Sequence, residues 1–215
     1  MKGIILAGGS GTRLYPLTKS TNKHLLPVYS KPLIYYSLTT LMLAGNREVA
    51  LITNPKDIQS FKNLLGDGSN FGIEITYVEQ NEPKGLSHAL YQAKNVVKNK
   101  NINLILGDNI FYGKDLKNYL LQAKSQSLNC LFTQEVNEPN KFGVLIRDKN
   151  NVPLEIIEKP NKTLSSEVVL GLYFYQNNIF SLIENLEPSE RGELEITELN
   201  NILLNTENVH IQNIG

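Results

Sequence analysis

Cysteine is nearly absent from this 215-residue sequence, in which Cys130 is the only one. A lone cysteine excludes an internal disulfide and a thiolate-rich zinc site, and with them the small folds that depend on either. The opening segment Met1–Ala7 runs into glycines too soon to form a secretory signal peptide. We therefore expect a protein of the reducing cytoplasm.

Excess charge is also absent, because 21 basic residues balance 21 acidic ones. A net charge of zero argues against a general binder of polyanions, so we expect no nucleic acid among the partners. No stretch approaches the roughly 18 consecutive apolar residues of a membrane span, so we expect no membrane association. The hydrophobic share of 41% is enough for a substantial core, and the length favours one domain over residues 1–215.

What the sequence does contain is an alternation of short apolar runs and helical stretches. The run Gly3–Ala7, with Ile-Ile-Leu at its centre, predicts a strand buried on both faces. Further strands are predicted over 48–53, 73–79 and 102–106, with helices between the strands over 32–45, 57–65 and 86–97. This order predicts right-handed crossovers and a Rossmann-like α/β fold, with a mostly parallel sheet and helices on both faces.

The second half continues with both kinds of element and shows no repeat, linker or domain boundary. The predicted elements are a helix from 115 to about 127, strands over 130–136, 143–147, 154–158 and 168–175, helices over 178–186 and 195–204, and a last strand over 209–214. Ligands of such a fold bind at the carboxyl ends of the strands.

A glycine-rich loop, Gly8-Gly9-Ser10-Gly11-Thr12-Arg13, follows the first strand. Glycines let backbone N–H groups point at anionic oxygens, so the loop predicts phosphate binding; a tight strand-to-helix turn is the alternative. A dinucleotide fingerprint would need glycine where Leu14 stands, and a P-loop would need Gly-Lys-Ser/Thr where Gly11-Thr12-Arg13 stands. Neither an NAD site nor a Walker-type ATP site is therefore favoured.

Several further blocks occur in a characteristic order. They are Leu6–Arg13, Asn22–Val28, Lys31–Tyr36, Leu65–Ser69, Leu106–Asn109, Glu158–Pro160, Gly171–Tyr175 and Arg191–Thr197. With these blocks nearly the whole chain resembles the sugar-1-phosphate nucleotidylyltransferases, and within them the glucose-1-phosphate thymidylyltransferase branch. The resemblance implies a fold of the nucleotide-diphospho-sugar transferase type.

The resemblance also implies a reaction: nucleotidyl transfer from dTTP to glucose 1-phosphate, giving dTDP-glucose and pyrophosphate with Mg²⁺ as the cofactor. One alternative is a protein of the same fold that binds a nucleotide or nucleotide sugar with little turnover. Another is an enzyme that uses UTP. Uracil differs from thymine by one methyl group, which is worth only about 1 to 3 kcal/mol in a pocket. We therefore expect dTTP to be preferred over UTP, not to be the exclusive substrate.

The nucleotide-binding residues that the resemblance implies are Leu6, Gly8, Gly9, Ser10, Gly11, Thr12, Arg13, Gln80, Gly85 and Asp108. Arg13 is assigned to the triphosphate and the leaving pyrophosphate, and Lys23 to the α-phosphate side. Asp108 is assigned as the Mg²⁺ ligand, with a helix cap as the alternative. Gln80 carries both a donor and an acceptor for the pyrimidine edge.

The sugar-binding residues that it implies are Asn109, Gly143, Glu158, Lys159, Val169, Tyr173 and Arg191. Lys159 is assigned to the sugar phosphate. The alternative interpretation of Glu158 and Lys159 is a plain ion pair at the end of a strand. For Lys23 and Lys159 taken singly, the alternative is a solvated lysine on the surface.

Three departures from the family pattern stand out. His24 replaces a glutamine, and Ser87-His88 replaces Ala-Gln. Family members continue with a Trp-x-Asp-x-Gly-Thr block, which carries a second metal-binding aspartate, and with further helices, whereas this sequence ends at Gly215 and has no tryptophan. We therefore expect the chain to bind dTTP but to turn over slowly, and a homo-oligomer, if formed, to be weakened.

Overall fold

The computed structural model describes residues 1–9, 11–126, 128–162 and 164–215. The strands of this part of the chain are β1 Lys2–Leu6, β2 Pro27–Val28, β3 Lys31–Pro32, β4 Glu48–Thr53, β5 Glu74–Glu79, β6 Ile102–Leu106, β7 Asn129–Glu135, β8 Gly143–Arg147, β9 Pro153–Glu158, β10 Glu167–Tyr175 and β11 Val209–Asn213. The helices are α1 Ile34–Leu43, α2 Ile58–Leu65, α3 Leu86–Gln92, α4 Lys94–Val97, α5 Leu116–Ser125, α6 Ile179–Ile183 and α7 Ile196–Thr206.

Nine of the strands form one mixed sheet, whose main path runs β11-β7-β10-β6-β1-β4-β5. Parallel pairs join β1 to β4 and β6, β4 to β5, and β7 to β11. Along this path β10 is the reversed strand, antiparallel to both β6 and β7. The hairpin β8–β9 extends from β10, and β2 pairs separately with β3. The predicted mostly parallel sheet is thereby confirmed.

Helices cover both faces of the sheet, as the sequence predicts. Ile4 and Ile5 of β1 are fully buried and face opposite sides, because side chains alternate along a strand. Helices α3, α4, α6 and α7 pack on the side of Ile4, whereas α1, α2 and α5 pack on the side of Ile5. In the part of the chain that the structure describes, no helix has the length and apolarity to cross a bilayer.

Three predicted helices differ from those observed, one of them only in length, because the helix predicted over 178–186 spans Ile179–Ile183. The helix predicted over 86–97 is interrupted at Ala93, whose N–H donates to the carbonyl of Leu90 at 3.0 Å in a tighter 3₁₀-type turn. The helix predicted from Pro32 begins at Ile34, because Pro32 pairs with Pro27 in the β2–β3 ladder. These changes leave the order of the larger elements intact.

The parallel strands β1, β4, β5 and β6 end at one edge of the sheet. Backbone hydrogen bonds continue there past the strand ends: Gly107 N–H donates to Leu6 O at 2.9 Å, and Gln80 N–H donates to Thr53 O at 2.9 Å. The loops that follow these four strands therefore start side by side, and they carry most of the predicted nucleotide-side residues.

Candidate active site

A cleft of about 900 Å³ opens at this edge of the sheet. Eight of the predicted residues line it: Leu6, Gly8, Gly9, Arg13, Lys23, Gln80, Gly85 and Asp108. Gly11 and Thr12 belong to the same loop but are not among the lining residues, and Ser10 lies outside the described residues. Most of the residues predicted to bind the nucleotide therefore lie around one cleft.

The glycine loop makes room for neighbouring side chains. A Cβ on Gly8 would collide with Oε1 of Gln80, and the carbonyl of Gly8 accepts a hydrogen bond from Nδ2 of Asn54 at 2.9 Å. Gly11 has a φ of +64°, a left-handed conformation that glycine adopts without strain, and it opens the short turn that carries Arg13. The loop therefore brings its backbone close to the side chains of Gln80 and Asn54.

Asp108 follows β6 after Gly107 and forms an ion pair with Lys23. The Lys23 side chain is 20% exposed and that of Asp108 is 38% exposed. Burial alone would raise the pKa of Asp108, but the hydrogen bond and charge of Lys23 outweigh it and hold that pKa below its ordinary value. The next described helix is α5, eight residues further on, so the helix-cap alternative for Asp108 is wrong.

The far corner of the cleft is formed around Gln80 and Gly85. Gly85 has a φ of +99°, and a Cβ there would fall 2.5 Å from the carbonyl oxygen of Leu194. Two backbone bonds dock Leu194 on this corner: its N–H donates to Lys84 O at 2.8 Å, and its carbonyl accepts from Ser87 N–H at 3.1 Å. A segment from late in the chain therefore closes this side of the cleft.

A second group of predicted residues lies beside the sheet extension, not in the cleft lining. Gly143 of β8 pairs with both Glu158 of β9 and Val169 of β10. Glu158 accepts a hydrogen bond from Thr197 Oγ1 at 2.7 Å and pairs with Lys159 at 2.5 Å. Burial raises the pKa of Glu158, but the hydrogen bonds from Lys159 and Thr197 and the positive charges of Lys159 and Arg191 together hold that pKa below its ordinary value.

The other three sugar-side predictions are more scattered. Tyr173 is only 4% exposed and stacks on Tyr175 with ring centroids 5.6 Å apart, so it is a core residue. Asn109 accepts a hydrogen bond from Gly171 N–H at 3.3 Å. Arg191 pairs with Glu195 at 2.8 Å on the segment that also carries Leu194.

Besides His24, sequence reasoning missed four polar residues that line the cleft, namely Asn54, Lys56, Asn81 and Glu193. Asn54 directly follows β4, so its place after a buried strand was an available signal. Lys56 lies in the turn that follows and has no ion-pair partner among the described residues. Glu193 lies at the cleft because the backbone of its neighbour Leu194 binds Lys84 and Ser87. Contacts between backbone groups leave no pattern of side chains in the sequence.

Comparisons with known proteins identify the family of the chain. A model of the nucleotidyl transferase family matches residues 2–215. A glucose-1-phosphate thymidylyltransferase of Neisseria meningitidis is 49% identical over 216 residues, covering 100% of this chain and 75% of that protein. A protein of the same name from Mycobacterium tuberculosis is 47% identical over 205 residues, covering 95% of this chain and 71% of the relative.

Solved structures are similar as well. A Bacillus anthracis protein described as a glucose-1-phosphate thymidylyltransferase has a TM-score of 0.92 at 40% identity, covering 100% of this chain and 87% of its own. A UDP-glucose pyrophosphorylase in complex with UDP-glucose has a TM-score of 0.86 at 26% identity, covering 99% and 89%.

Proposed function

The chain belongs to the nucleotidyl transferase family, and from that premise we propose that it transfers a thymidylyl group from dTTP to glucose 1-phosphate. The products are dTDP-glucose and pyrophosphate. One observation supports this activity above others: Arg13, Lys23, Asp108 and Gln80 face a single cleft at the carboxyl ends of parallel strands. Residues 1–215 act in this proposal as one domain, in the reducing cytoplasm, where the buried Cys130 stays a free thiol.

The reaction joins two anions. A phosphate oxygen of glucose 1-phosphate attacks the α-phosphorus of dTTP, the bond between the α-phosphorus and the bridging oxygen breaks, and the electron pair leaves with pyrophosphate. Repulsion between the anions must be offset by fixed positive charge and by positioning. Lys23 supplies charge near the α-phosphate, and Arg13, which has no ion-pair partner among the described residues, is free to bind the triphosphate.

The family is generally dependent on a divalent metal, and we propose that the metal here is Mg²⁺, held by Asp108. Within the described residues no three His, Cys, Asp or Glu side chains form a cluster that could hold a metal. The carboxylate of Asp108, which lines the cleft, fits Mg²⁺, because proteins usually bind this ion through one or two carboxylates together with substrate phosphates and water. When bound, the ion neutralises phosphate charge and polarises the α-phosphorus.

Glucose 1-phosphate is proposed to bind at the second group of residues. Glu158 and the backbone of Gly143 and Val169 offer hydrogen-bonding groups for sugar hydroxyls, and Lys159 and Arg191 offer positive charge for the phosphate. The backbone bonds of Leu194 hold the Arg191 segment against the nucleotide corner. The two substrates would therefore meet between the cleft and the sheet extension. Tyr173 contributes through packing, and Asn109 through its bond to Gly171.

Use of UTP is the second candidate, because the fold is also close to that of a UDP-glucose pyrophosphorylase. A pyrophosphate-release assay with glucose 1-phosphate and dTTP, UTP, CTP or ATP separates the possibilities. We expect dTTP and UTP to give the highest rates, with dTTP first. Binding of dTTP without any pyrophosphate release would instead favour a binding protein of the same fold, and a preference for ATP would exclude thymidylyl transfer.

Gln80→Glu tests how the base is recognised. The amide can donate to one group of the pyrimidine edge and accept from its neighbour, whereas a carboxylate can only accept and leaves one repulsive contact. We expect dTTP affinity to fall roughly 10- to 100-fold, the cost of one mispaired buried polar group. Calorimetric titration with dTTP measures the loss. Gln122→Glu, the same change on the exposed face of α5, should leave the affinity unchanged, and equal losses in both variants would refute the role of Gln80.

Arg13→Lys tests triphosphate binding. Lysine keeps the charge but loses the planar fork that binds two phosphate oxygens at once, so dTTP affinity should fall about tenfold. Affinity for glucose 1-phosphate should stay the same. The matched control is Arg47→Lys. Arg47 precedes β4, at the end of that strand away from the cleft, and donates to the carbonyl of Asn46 at 3.0 Å. Equal losses for the two substrates would contradict the assignment.

A further inference from the structure

Lys23 lies between two buried polar residues. Asn22 is 5% exposed and His24 is 1% exposed, whereas the Lys23 side chain between them extends into the cleft and meets Asp108. The three residues belong to one short turn, in which Asn22 precedes the 3₁₀ helix Lys23–Leu25. The conformation of this turn therefore decides where the Lys23 ammonium stands.

The Asn22 amide joins three segments. Its Nδ2 donates to the carbonyl of Ala7 at 3.1 Å and to the carboxylate of Asp57 at 2.8 Å. Its Oδ1 accepts from the backbone N–H of His24 at 3.0 Å and lies 2.6 Å from His24 Nδ1. Because Nδ2 faces two oxygen acceptors, this orientation of the amide is the only one that satisfies every contact. One side chain thereby links the loop after β1, the start of α2 and the Lys23 turn.

His24 extends this linkage to the loop that carries Asp108. Asn22 Oδ1 can only accept, so Nδ1 of the imidazole carries its proton and Nε2 is left as an acceptor. Burial, helped by the charge of Lys23, lowers the pKa of His24 to about 4, so the ring is neutral at pH 7. The Cδ2–Nε2 edge of the ring lies against Gly107: a Cβ there would come within 2.7 Å of His24 Cδ2 and 3.0 Å of Nε2. Gly107 in turn precedes Asp108.

We propose that Asn22 and His24 are a positioning pair, which sets the place at which Lys23 meets Asp108 and the α-phosphate. This inference rests on the proposed function and adds two residues that act through Lys23: Asn22 is not among the residues that line the cleft, and His24, which is among them, is only 1% exposed. The pair connects both loops that must converge, through hydrogen bonds on one side and ring packing on the other. A displacement of about 1 Å at a reacting group can cost roughly 100-fold in rate, so such a link has a measurable effect.

A double-mutant cycle tests whether His24 acts through Lys23. His24→Leu keeps the volume but removes the hydrogen bond, and we expect it to lower kcat about tenfold while KM for dTTP changes by less than about twofold. In a Lys23→Gln background the same change should lower kcat by less than about twofold, because the group that it positions is already gone. Equal losses in the two backgrounds would overturn the proposal.

Three further variants separate positioning from general stability. His24→Gln retains a donor for Asn22 and should restore kcat to within about threefold of the parent. Asn200→Leu removes another buried amide, which accepts from the Tyr175 hydroxyl at 2.6 Å; neither residue is among those that line the cleft, so the change should lower stability without lowering kcat. If His24→Leu does not fold, Asn22→Ser replaces it in the cycle, because serine still caps the turn but loses both donated bonds.

Failure of the proposed function itself is recognised separately, as an absence of pyrophosphate release by the parent chain with any of the four triphosphates. The pair is then tested without turnover, by acetylation of lysines with an amine-reactive ester and peptide mass spectrometry. We expect His24→Leu to speed acetylation of Lys23 several-fold and to leave the rate at Lys56 unchanged. An unchanged rate at Lys23 would overturn the proposal.

Discussion

Asp108→Asn should lower the rate of pyrophosphate release from dTTP and glucose 1-phosphate by roughly 10²- to 10³-fold, the loss usual for removing one group that stabilises transition-state charge. The amide keeps the shape of the side chain and loses its charge. It can no longer hold Mg²⁺ against water, and it leaves Lys23 without its ion-pair partner. Both effects act on the α-phosphorus, where the two substrate anions meet.

The measurement is a steady-state assay at several Mg²⁺ concentrations, with calorimetric titration of dTTP in parallel. Asp148→Asn is the matched control. Asp148 lies in the turn of the β8–β9 hairpin, where its carboxylate accepts from Asn150 N–H and Val152 N–H at 2.8 Å, bonds that an amide oxygen can keep. Should Asp108→Asn bind dTTP and metal as well as the parent and retain its rate, Asp108 is not the metal ligand.

The fold could be predicted because its strands are buried on both faces. A strand such as β6, with the sequence Ile-Asn-Leu-Ile-Leu, is a mostly apolar run, which predicts a strand buried on both faces. The helices predicted between such runs are the elements that bury those faces. The reversed direction of β10 could not be predicted, because apolar alternation is the same for either direction. The short ladder that takes Pro32 out of α1 depends on pairing with Pro27, a contact that hydrophobic periodicity does not reveal.

The nucleotide side of the candidate site could be predicted for a related reason. Gly8, Gln80 and Asp108 each follow a parallel strand, and parallel strands bring their carboxyl ends to one edge. The burial of Asn22 and His24 has no such signal, since asparagine and histidine in a loop are usually solvated. It is the tertiary contact with Ala7, Asp57 and Gly107 that turns them inward.

The docking of Leu194 on Gly85 is the other feature that sequence patterns do not reveal, because it is made by backbone groups. Gly85 combines a φ of +99° with a ψ of 172°, a region that only glycine occupies readily. It also lies where a Cβ would come within 2.5 Å of Leu194 O and 2.7 Å of Leu194 N. Backbone atoms cannot move aside as the end of a flexible side chain can, so the clash must displace one segment or the other.

Gly85→Ala should therefore destabilise the fold by roughly 2 to 5 kcal/mol, from backbone strain and overpacking together. For a domain of this size that is a fall in Tm of roughly 5 to 15 °C. Below the transition, KM for glucose 1-phosphate should rise because the displaced segment carries Arg191, and KM for dTTP should rise because Gly85 lines the cleft beside Gln80.

Gly72→Ala is the control that distinguishes the steric clash with Leu194 from the backbone strain of a positive φ. Gly72 has a φ of +69°, and a Cβ there would have nothing within 4 Å. Its substitution should cost only the left-handed backbone penalty of about 1 to 2 kcal/mol and leave both KM values unchanged. Thermal unfolding and steady-state kinetics on the two variants provide the comparison. If both lose the same stability and keep the same KM values, the contact between Gly85 and Leu194 does not join the two halves of the site.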